Sequence, residues 1–222
     1  HSMSMSLDGY AAGPEQSEAA PLGIGGERLH EWVFRTAYGR SMLGEDGGSD
    51  GVDDAWLRRG DDGIGATVMG RNMFGPVRGE WEDHSWTGWW GPEPPYHHPV
   101  FVVTRFGRPS VAMLGGTTFH FVTDGLGSAL SQAQEAADGL DVRVGGGVSI
   151  VREALRDGLV DELHVAVVPT VLGAGERLFD GVGHAYRKGK GKTTQTAAAR
   201  RIAASQAGLD GGARKSREVI EK

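Results

Sequence analysis

The stretch Asp141-Val-Arg-Val-Gly-Gly-Gly-Val-Ser-Ile-Val151 decides the fold. The residues from Val142 to Val144 predict a strand, and apolar residues recur from Val148 onward at helical spacing. A strand that ends in glycines and opens a helix brings free backbone amides to the positive end of a helix dipole. Glycine also lets an anion approach the backbone where a Cβ would block it. The stretch therefore predicts a phosphate-binding turn, to which Ser149 adds a hydroxyl donor.

A second interpretation of the three glycines stays open at this point. Gly145 to Gly147 also suit a tight turn between a strand and a helix that binds nothing. The Rossmann fingerprint G-x-G-x-x-G fails, because Ile150 stands where the last glycine is required. A nucleotide would therefore be held in a different way.

Two arginines follow apolar segments upstream of the glycines. Val68-Met-Gly-Arg71 and Val102-Val-Thr-Arg105 each place an arginine at the end of a predicted buried strand. The guanidinium fork binds phosphate through two hydrogen bonds. Each arginine alone is equally typical of an ordinary surface. Both together, with the glycines on a third strand end, indicate a doubly phosphorylated dinucleotide.

The rest of the chain alternates strands with helices, which predicts an α/β fold. Strands are predicted at residues 3–7, 66–69, 100–103, 119–122, 142–144 and 163–168, and helices over 52–59, after Asp124 and from 148 to 158. Asp124 is expected to cap its helix, whose apolar stripe is Leu126, Leu130, Ala133 and Ala137. A further helical spacing runs from Leu29 to Ala37, and no strand is predicted after Phe179.

Composition excludes several classes of protein. The 222 residues contain no cysteine, so disulfides, thiol nucleophiles and cysteine zinc sites are absent. No apolar run reaches the roughly 20 residues of a membrane helix, and we expect a cytoplasmic protein without membrane or metal partners. Residues 184–222 hold ten of the 23 Lys and Arg residues but three of the 29 Asp and Glu residues. The remaining body is acidic and unsuited to nucleic acid.

The chain resembles the dihydrofolate-reductase-like proteins related to the reductase domain of bacterial riboflavin biosynthesis. The resemblance covers residues 4–182. It is carried by Ser6 to Gly9 with Ala12, Pro21 to Trp32, Val68 to Arg71, Pro99 to Thr104, Gly145 to Gly147, Asp161 to Leu163, Pro169 to Gly175 and Leu178-Phe179. It implies a three-layer fold with a central, mostly parallel mixed sheet flanked by helices. It also implies a reductase domain at residues 4–183, followed by a basic tail at 184–222, and a homodimer.

The resemblance also implies where NADPH binds. The turn of Gly145, Gly146 and Gly147, continued by Val148 and Ser149, would hold the pyrophosphate. Gly70-Arg71 and Thr104-Arg105 would hold the adenosine phosphates, although Asn72 replaces a threonine that is usual nearby. The backbone of Ala12 would meet the nicotinamide amide. A turn that includes Leu172, Gly173 and Gly175 would border the substrate together with Asp8.

The implied reaction is hydride transfer from NADPH to a C=N or C=O bond of a small pyrimidine- or pterin-like heterocycle. Asp8 and Glu27 are the candidate proton donors, since burial can raise the pKa of a carboxylic acid. Asp8 is equally suited to forming the turn before Gly9, and Glu27 to the first turn of a helix. The alternative function is a protein that binds a dinucleotide or pterin without turnover.

The span from Glu80 to His98 is rich in aromatic residues, and two interpretations are open for it. It suits a lid that stacks on a flat heterocycle, because aromatic faces give a large contact area. It equally suits ordinary packing under a long loop, or a dimer contact. His97-His98 is not expected to bind metal, since successive side chains of an extended backbone point to opposite faces.

Overall fold

The computed structural model describes residues 3–76 and 78–183 in full, and the backbone of residues 192–195. The strands are β1 (Met3–Ser6), β2 (Tyr10–Ala12), β3 (Ile64–Gly70), β4 (Pro99–Val103), β5 (Val111–Ala112), β6 (Thr118–Val122), β7 (Asp141–Gly146), β8 (Glu162–Val168), β9 (Glu176–Arg177) and β10 (Lys192–Gln195). The helices are α1 (Ala37–Ser41), α2 (Val52–Asp61), α3 (Arg71–Phe74), α4 (Gly125–Ala136) and α5 (Val148–Arg156). Short 3-10 helices lie at Gly26–Leu29, Val33–Arg35 and Leu114–Gly116.

The strands form a mixed, mostly parallel arrangement, as the sequence predicts. Five strands pair in the order β5-β6-β4-β3-β7, and only the short β5 is antiparallel to its neighbour among them. A second sheet has the order β1-β8-β10 and is parallel throughout. The strands β2 and β9 make an antiparallel ribbon. β7 is an edge strand of the five-stranded sheet, and β1 is an edge strand of the second sheet.

One face of the five-stranded sheet is covered by α4. Leu126, Ala129 and Ala133 are buried against Val68 on β3 and Phe101 on β4. The predicted stripe is confirmed at Leu126, Ala133 and Ala137, whereas Leu130 is partly buried at its border. Asp124 precedes α4, but its side chain makes no capping hydrogen bond, so that expectation was wrong.

The opposite face of this sheet is covered by the aromatic span. Phe74 is fully buried, and its ring meets those of Phe119 and Phe121 at 5.1 Å and that of Trp81 at 6.1 Å. Trp90 stacks on Phe119 at 5.8 Å. Edge-to-face and stacked arrangements of this kind stabilise aromatic clusters. These rings therefore form the core of this layer.

The helix α5 joins two cores. Ile150 and Ala154 face the α4 layer, whereas Val148, Val151 and Leu155 pack with residues of the β1-β8 side. The amphipathic spacing read from the sequence is confirmed in Val148, Val151 and Leu155. This packing fixes the start of α5 between the two sheets.

A buried polar network links the five-stranded sheet to α1 and α2. Arg143 on β7 forms an ion pair with Asp61, and its Nε donates to Oγ1 of Thr67 at 3.3 Å. The Tyr38 hydroxyl donates to the other oxygen of Asp61 at 2.7 Å, and Nε2 of His98 lies 2.8 Å from Oγ1 of Thr67. Burial, and then the charge of Arg143, lower the pKa of His98 to about 4. The network fastens α2 to the edge strand β7.

Two further predictions about elements were wrong. The helical spacing from Leu29 to Ala37 becomes two 3-10 helices and the short α1, because Thr36 is extended and caps α1 by accepting from the amide of Gly39. A strand does follow Phe179, since β10 pairs in parallel with β8. The remainder of the basic tail, residues 184–191 and 196–222, lies outside the described residues, and the domain boundary at 183 stays a prediction.

Candidate functional site

A cleft opens where the two sheets part. It contains about 670 Å³ of space, part of which is open solvent. It is lined by Met3 and Ser4 of β1, Ala11 and Ala12 of β2, Gly145 and Gly146 of β7, Gly147, Val148, Asn72, Met73, Glu176, His30 and the loop residues Gln16, Pro21 and Leu22. The edge strands β1 and β7 thus both contribute to its wall. In open α/β sheets a ligand crevice is expected at such a change in strand connection.

The glycine turn lies on this cleft. Gly145 and Gly146 end β7, and Gly147 is the N-cap of α5, with no side chain capping the helix. The amides of Ile150 and Val151 donate to the carbonyl of Gly147, so the earlier amides of the helix have no acceptor within it. The peptide bond between Gly146 and Gly147 is cis. The turn therefore presents backbone donors and a helix N-terminus to the cleft.

Close packing explains the glycines at two of the three positions. Gly146 has φ 131°, and a Cβ there would lie 2.8 Å from Sδ of Met73. A Cβ on Gly145 would lie 3.0 Å from Cγ2 of Thr67. Gly147 differs, since its φ is −59° and a Cβ would meet nothing nearer than 3.8 Å. The turn geometry accounts for Gly146, but it leaves Gly147 without a structural reason.

The two predicted residues that follow the triplet lie in different surroundings. The side chain of Val148 is buried in the second core, and Ser149 is exposed in the first turn of α5. Val148 lines the cleft, whereas Ser149 is not among the lining residues.

The end of β3 touches the glycine turn. A Cβ on Gly70 would lie 2.8 Å from Cγ1 of Ile150 and 3.5 Å from the amide nitrogen of Gly147. Gly70 thus lets β3 reach the start of α5, and Asn72 and Met73 then enter the cleft wall. Asn72, which replaces a threonine that the family resemblance makes usual nearby, stands beside Gly147.

Arg71 and Thr104 lie together, as expected for neighbouring strand ends. Nη1 of Arg71 lies 3.5 Å from Oγ1 of Thr104 and donates to the carbonyl of Gly79 at 2.5 Å. The guanidinium lies 3.6 Å from the ring centroid of Trp81, a cation–π contact. Nε and Nη2 of Arg71 are buried and have no partner among the described residues. These two groups form the side-on edge of the guanidinium, which is enclosed in the protein and lies outside the cleft lining.

Arg105 differs from Arg71. It is exposed, and no hydrogen bond or ion pair of its side chain occurs within residues 3–76 and 78–183.

Two tryptophans of the aromatic span donate hydrogen bonds to the backbone. Trp81 donates from Nε1 to the carbonyl of Phe106 at 2.8 Å, and Trp86 donates to the carbonyl of Phe74 at 3.0 Å. These bonds favour ordinary packing as the interpretation of the aromatic span, rather than a lid.

The predicted nicotinamide and substrate segments meet on the far side of the cleft. Ala12 pairs with Glu176 in the β2-β9 ribbon. A Cβ on Gly175, which has φ 127°, would lie 2.0 Å from the carbonyl oxygen of Ala12. Only glycine fits this contact, which fixes the turn of residues 172–175 against the end of β2.

Asp8 joins this turn, but its chemistry does not suit a proton donor. Its two carboxylate oxygens accept from the amides of Leu172 at 3.1 Å and Gly173 at 2.7 Å. The Ser6 hydroxyl, and then these amides, lower the pKa of Asp8 to about 2. The carboxylate is therefore ionised near neutral pH, with both oxygens engaged. The proximity of Asp8 to Leu172 and Gly173 agrees with the prediction, and its candidate role as an acid does not.

Glu27 lies outside the cleft. It is exposed in the first turn of the 3-10 helix Gly26–Leu29, and it does not belong to the cleft lining. Glu27 is therefore a carboxylate in the first turn of a helix, which was the alternative interpretation, and the structure gives no support to a catalytic role.

Sequence reasoning missed four polar side chains of the cleft lining, namely Ser4, Gln16, His30 and Glu176. His30 follows a single turn of 3-10 helix and Glu176 begins the two-residue strand β9, and elements this short show no periodicity from which to predict where a side chain points. One signal was available, since His30 lies inside the segment Pro21 to Trp32 that carries the family resemblance.

Comparison with known proteins gives the family. The sequence profile of the family described as the RibD C-terminal domain matches residues 1–200, which is most of the chain. No curated protein shows significant similarity to the sequence. No helix in the described part of the chain is long and apolar enough to cross a membrane. No group of three or more possible metal ligands occurs among the described residues. The chain belongs to the RibD C-terminal domain family, which has a dihydrofolate-reductase-like fold and indicates a reductase of the riboflavin-biosynthesis type.

Proposed function

We propose that this protein is an NADPH-dependent reductase that transfers hydride to a C=N or C=O bond of a small pyrimidine- or pterin-like heterocycle. The observation that carries the proposal is the glycine turn, which presents the start of α5 to a cleft between two sheets. A helix N-terminus with free amides binds phosphate. The family supplies the reaction class, and the cleft supplies a place for a dinucleotide.

The proposed NADPH contacts begin in the cleft and extend to Arg71 and Thr104, which lie outside its lining. Gly147 and the first amides of α5 would hold the pyrophosphate, with Asn72 beside them. Nε and Nη2 of Arg71, which are buried beside Trp81, would have to become accessible in order to donate to a phosphate at the adenosine end, next to Thr104. Ala12 would contact the nicotinamide at the other end. When bound, NADPH supplies the hydride, and the protein orients it and excludes water.

The substrate side is defined by the Asp8 contacts. The ionised carboxylate of Asp8 holds the amides of Leu172 and Gly173 in place. We assign it the role of shaping the substrate border rather than of donating a proton. A cytoplasmic, homodimeric protein with a small-molecule substrate remains our expectation, and the mass of the protein in solution tests the homodimer.

Cofactor preference tests the first half of the proposal. NADPH and NADH are titrated into the protein while tryptophan fluorescence is followed, and NADPH is expected to bind more tightly. Arg71→Leu should weaken NADPH binding by about 10- to 100-fold and change NADH binding little, since a bidentate charged contact is lost. Arg156→Leu, at the exposed last turn of α5, is the matched control and should change neither. A folded protein that binds neither cofactor contradicts the proposal.

Turnover tests the second half. NADPH oxidation is followed by its absorbance with dihydropterins and aminopyrimidines as trial substrates. Oxidation that depends on one of these compounds supports the reductase.

A second candidate is a protein that binds a dinucleotide or pterin without turnover. The observation in its favour is that Asp8 is ionised and Glu27 lies outside the cleft, so neither predicted carboxylic acid is placed to donate a proton. Tight NADPH binding with no oxidation across the trial substrates supports this function over the reductase.

A further inference from the structure

One acidic side chain of the cleft has no role in the function proposed above. Glu176 begins β9 and lines the cleft together with Ala12. It is partly buried, and no hydrogen bond or ion pair of its carboxylate occurs in the described part of the chain. The neighbouring Arg177 donates instead to the backbone carbonyl of Asp8 at 2.8 Å, and its guanidinium lies 4.4 Å from the ring centroid of Tyr10. An unpaired carboxylate in a cleft is free to accept a hydrogen bond from a ligand or to attract a cation.

This carboxylate is the one formal charge among the described residues that line the cleft. The other lining residues are apolar, or they are glycine, serine, glutamine and asparagine, apart from His30. Burial lowers the pKa of His30 below its ordinary value, so this ring is neutral near neutral pH. NADPH carries its negative charges on its phosphates. A carboxylate in the same cleft is therefore favourable only beside a part of the cofactor that is not anionic.

Strand pairing brings Glu176 beside the segment proposed to hold the nicotinamide. Glu176 lies directly opposite Ala12 in the antiparallel ribbon of β2 and β9. The Cα atoms of such a pair lie about 5 Å apart. The proposed function puts the nicotinamide amide against the backbone of Ala12. A carboxylate on the paired strand, in the same wall of the cleft, would therefore lie next to the nicotinamide ring.

We propose that Glu176 stabilises the positive charge that the nicotinamide acquires on oxidation, an inference that rests on the function proposed above. In that reaction the C4–H bond of the dihydronicotinamide breaks, and the hydrogen passes with its electron pair to the carbon of the C=N or C=O bond. A proton from the solvent completes the product, and the nicotinamide ring is left with one positive charge. A fixed negative charge beside the ring favours this state and the transition state that leads to it.

The oxidised and reduced forms of the cofactor provide a test that needs no substrate. They carry the same phosphates and differ by one charge on the nicotinamide, so the ratio of their dissociation constants depends on the surroundings of that ring. Opposite charges about 6 Å apart in a partly buried site attract by roughly a hundredfold in binding, which screening by solvent reduces to about tenfold. In Glu176→Gln the dissociation constant of NADP⁺ should therefore rise about tenfold relative to that of NADPH, as measured by calorimetry.

Two further variants complete the comparison. Glu176→Asp keeps the charge and should keep most of the wild-type ratio. Glu135→Gln removes an exposed carboxylate from α4, outside the cleft lining, and is the matched control that should leave the ratio unchanged.

An unchanged ratio in Glu176→Gln overturns the inference while leaving the proposed function standing. It does so when both forms bind as they do to the wild type. It also does so when both weaken or both tighten equally, because the substitution then acts through the fold or on the phosphates. Wild-type protein that binds neither NADP⁺ nor NADPH overturns the proposed function and the inference together, and the unmodified chain alone reveals it.

Discussion

Gly147→Ala separates the two interpretations of the glycine triplet. Gly147 has φ −59° and ψ 175°, a conformation that alanine adopts without strain. The added Cβ would meet Cβ of Asn72 at 3.8 Å, an ordinary van der Waals contact. The free energy of unfolding should therefore change by less than about 0.5 kcal/mol, or rise slightly because alanine restricts the unfolded chain.

The same substitution should damage cofactor binding. Gly147 lines the cleft at the start of α5, where a methyl group keeps a phosphate away from the backbone amides. Loss of one charge-assisted hydrogen bond costs about 1.5–3 kcal/mol, which corresponds to roughly 10- to 100-fold weaker binding of NADPH. Urea denaturation measures the stability, and quenching of tryptophan fluorescence measures the dissociation constant.

Gly146→Ala is the informative contrast. Its φ of 131° lies in a region that alanine disfavours, so this variant should lose about 1–3 kcal/mol of stability. If Gly147→Ala binds NADPH as tightly as the wild type while remaining equally stable, the glycines serve the turn alone. The assignment of the pyrophosphate to this site would then be refuted.

Three further predictions concern stability and the substrate border. Phe74→Ala should cost about 3–5 kcal/mol in urea denaturation because Phe74 is fully buried, whereas Phe34→Ala, at a side chain that is 47% exposed, should cost much less. The pKa of His98 is about 4 in the folded protein and near 6.5 unfolded, so the unfolded chain binds the proton first and stability should fall as pH drops from 6.5 to 4. The full shift is worth about 3 kcal/mol, which screening of the half-buried ring reduces to about 1–2 kcal/mol, and His98→Gln should flatten that part of the stability profile. Asp8→Asn should speed hydrogen exchange of the Leu172 and Gly173 amides, as measured by mass spectrometry. The dissociation constant of NADPH should stay within about twofold of the wild-type value. If the exchange is unchanged, Asp8 does not have its assigned role.

The fold was largely predictable because its main signals are local. The strands β3, β4, β6, β7 and β8 are short apolar runs, and the stripe through Leu126 and Ala133 repeats at helical spacing. The residues from Leu29 to Ala37 misled the same method, because Thr36 turns the chain by its own extended conformation and its cap on Gly39. The strand β10 was missed since its residues, Lys192–Gln195, are polar, and its pairing with β8 is long-range.

In the candidate site, too, the features with a local sequence signal were predictable and the others were not. A glycine turn at a strand–helix junction is visible in consecutive residues, as Gly145 to Gly147 show, and the structure places these glycines on the cleft. Recognition by a side chain depends on where a loop places it, and loops carry no periodicity. Asp8 was predicted to be an acid, whereas its two oxygens accept hydrogen bonds from the amides of Leu172 and Gly173, and the spacing of residues around His30 did not indicate that it lines the cleft. The position of the glycine turn could therefore be predicted from the sequence, whereas the positions of the loop side chains in the cleft required the structure.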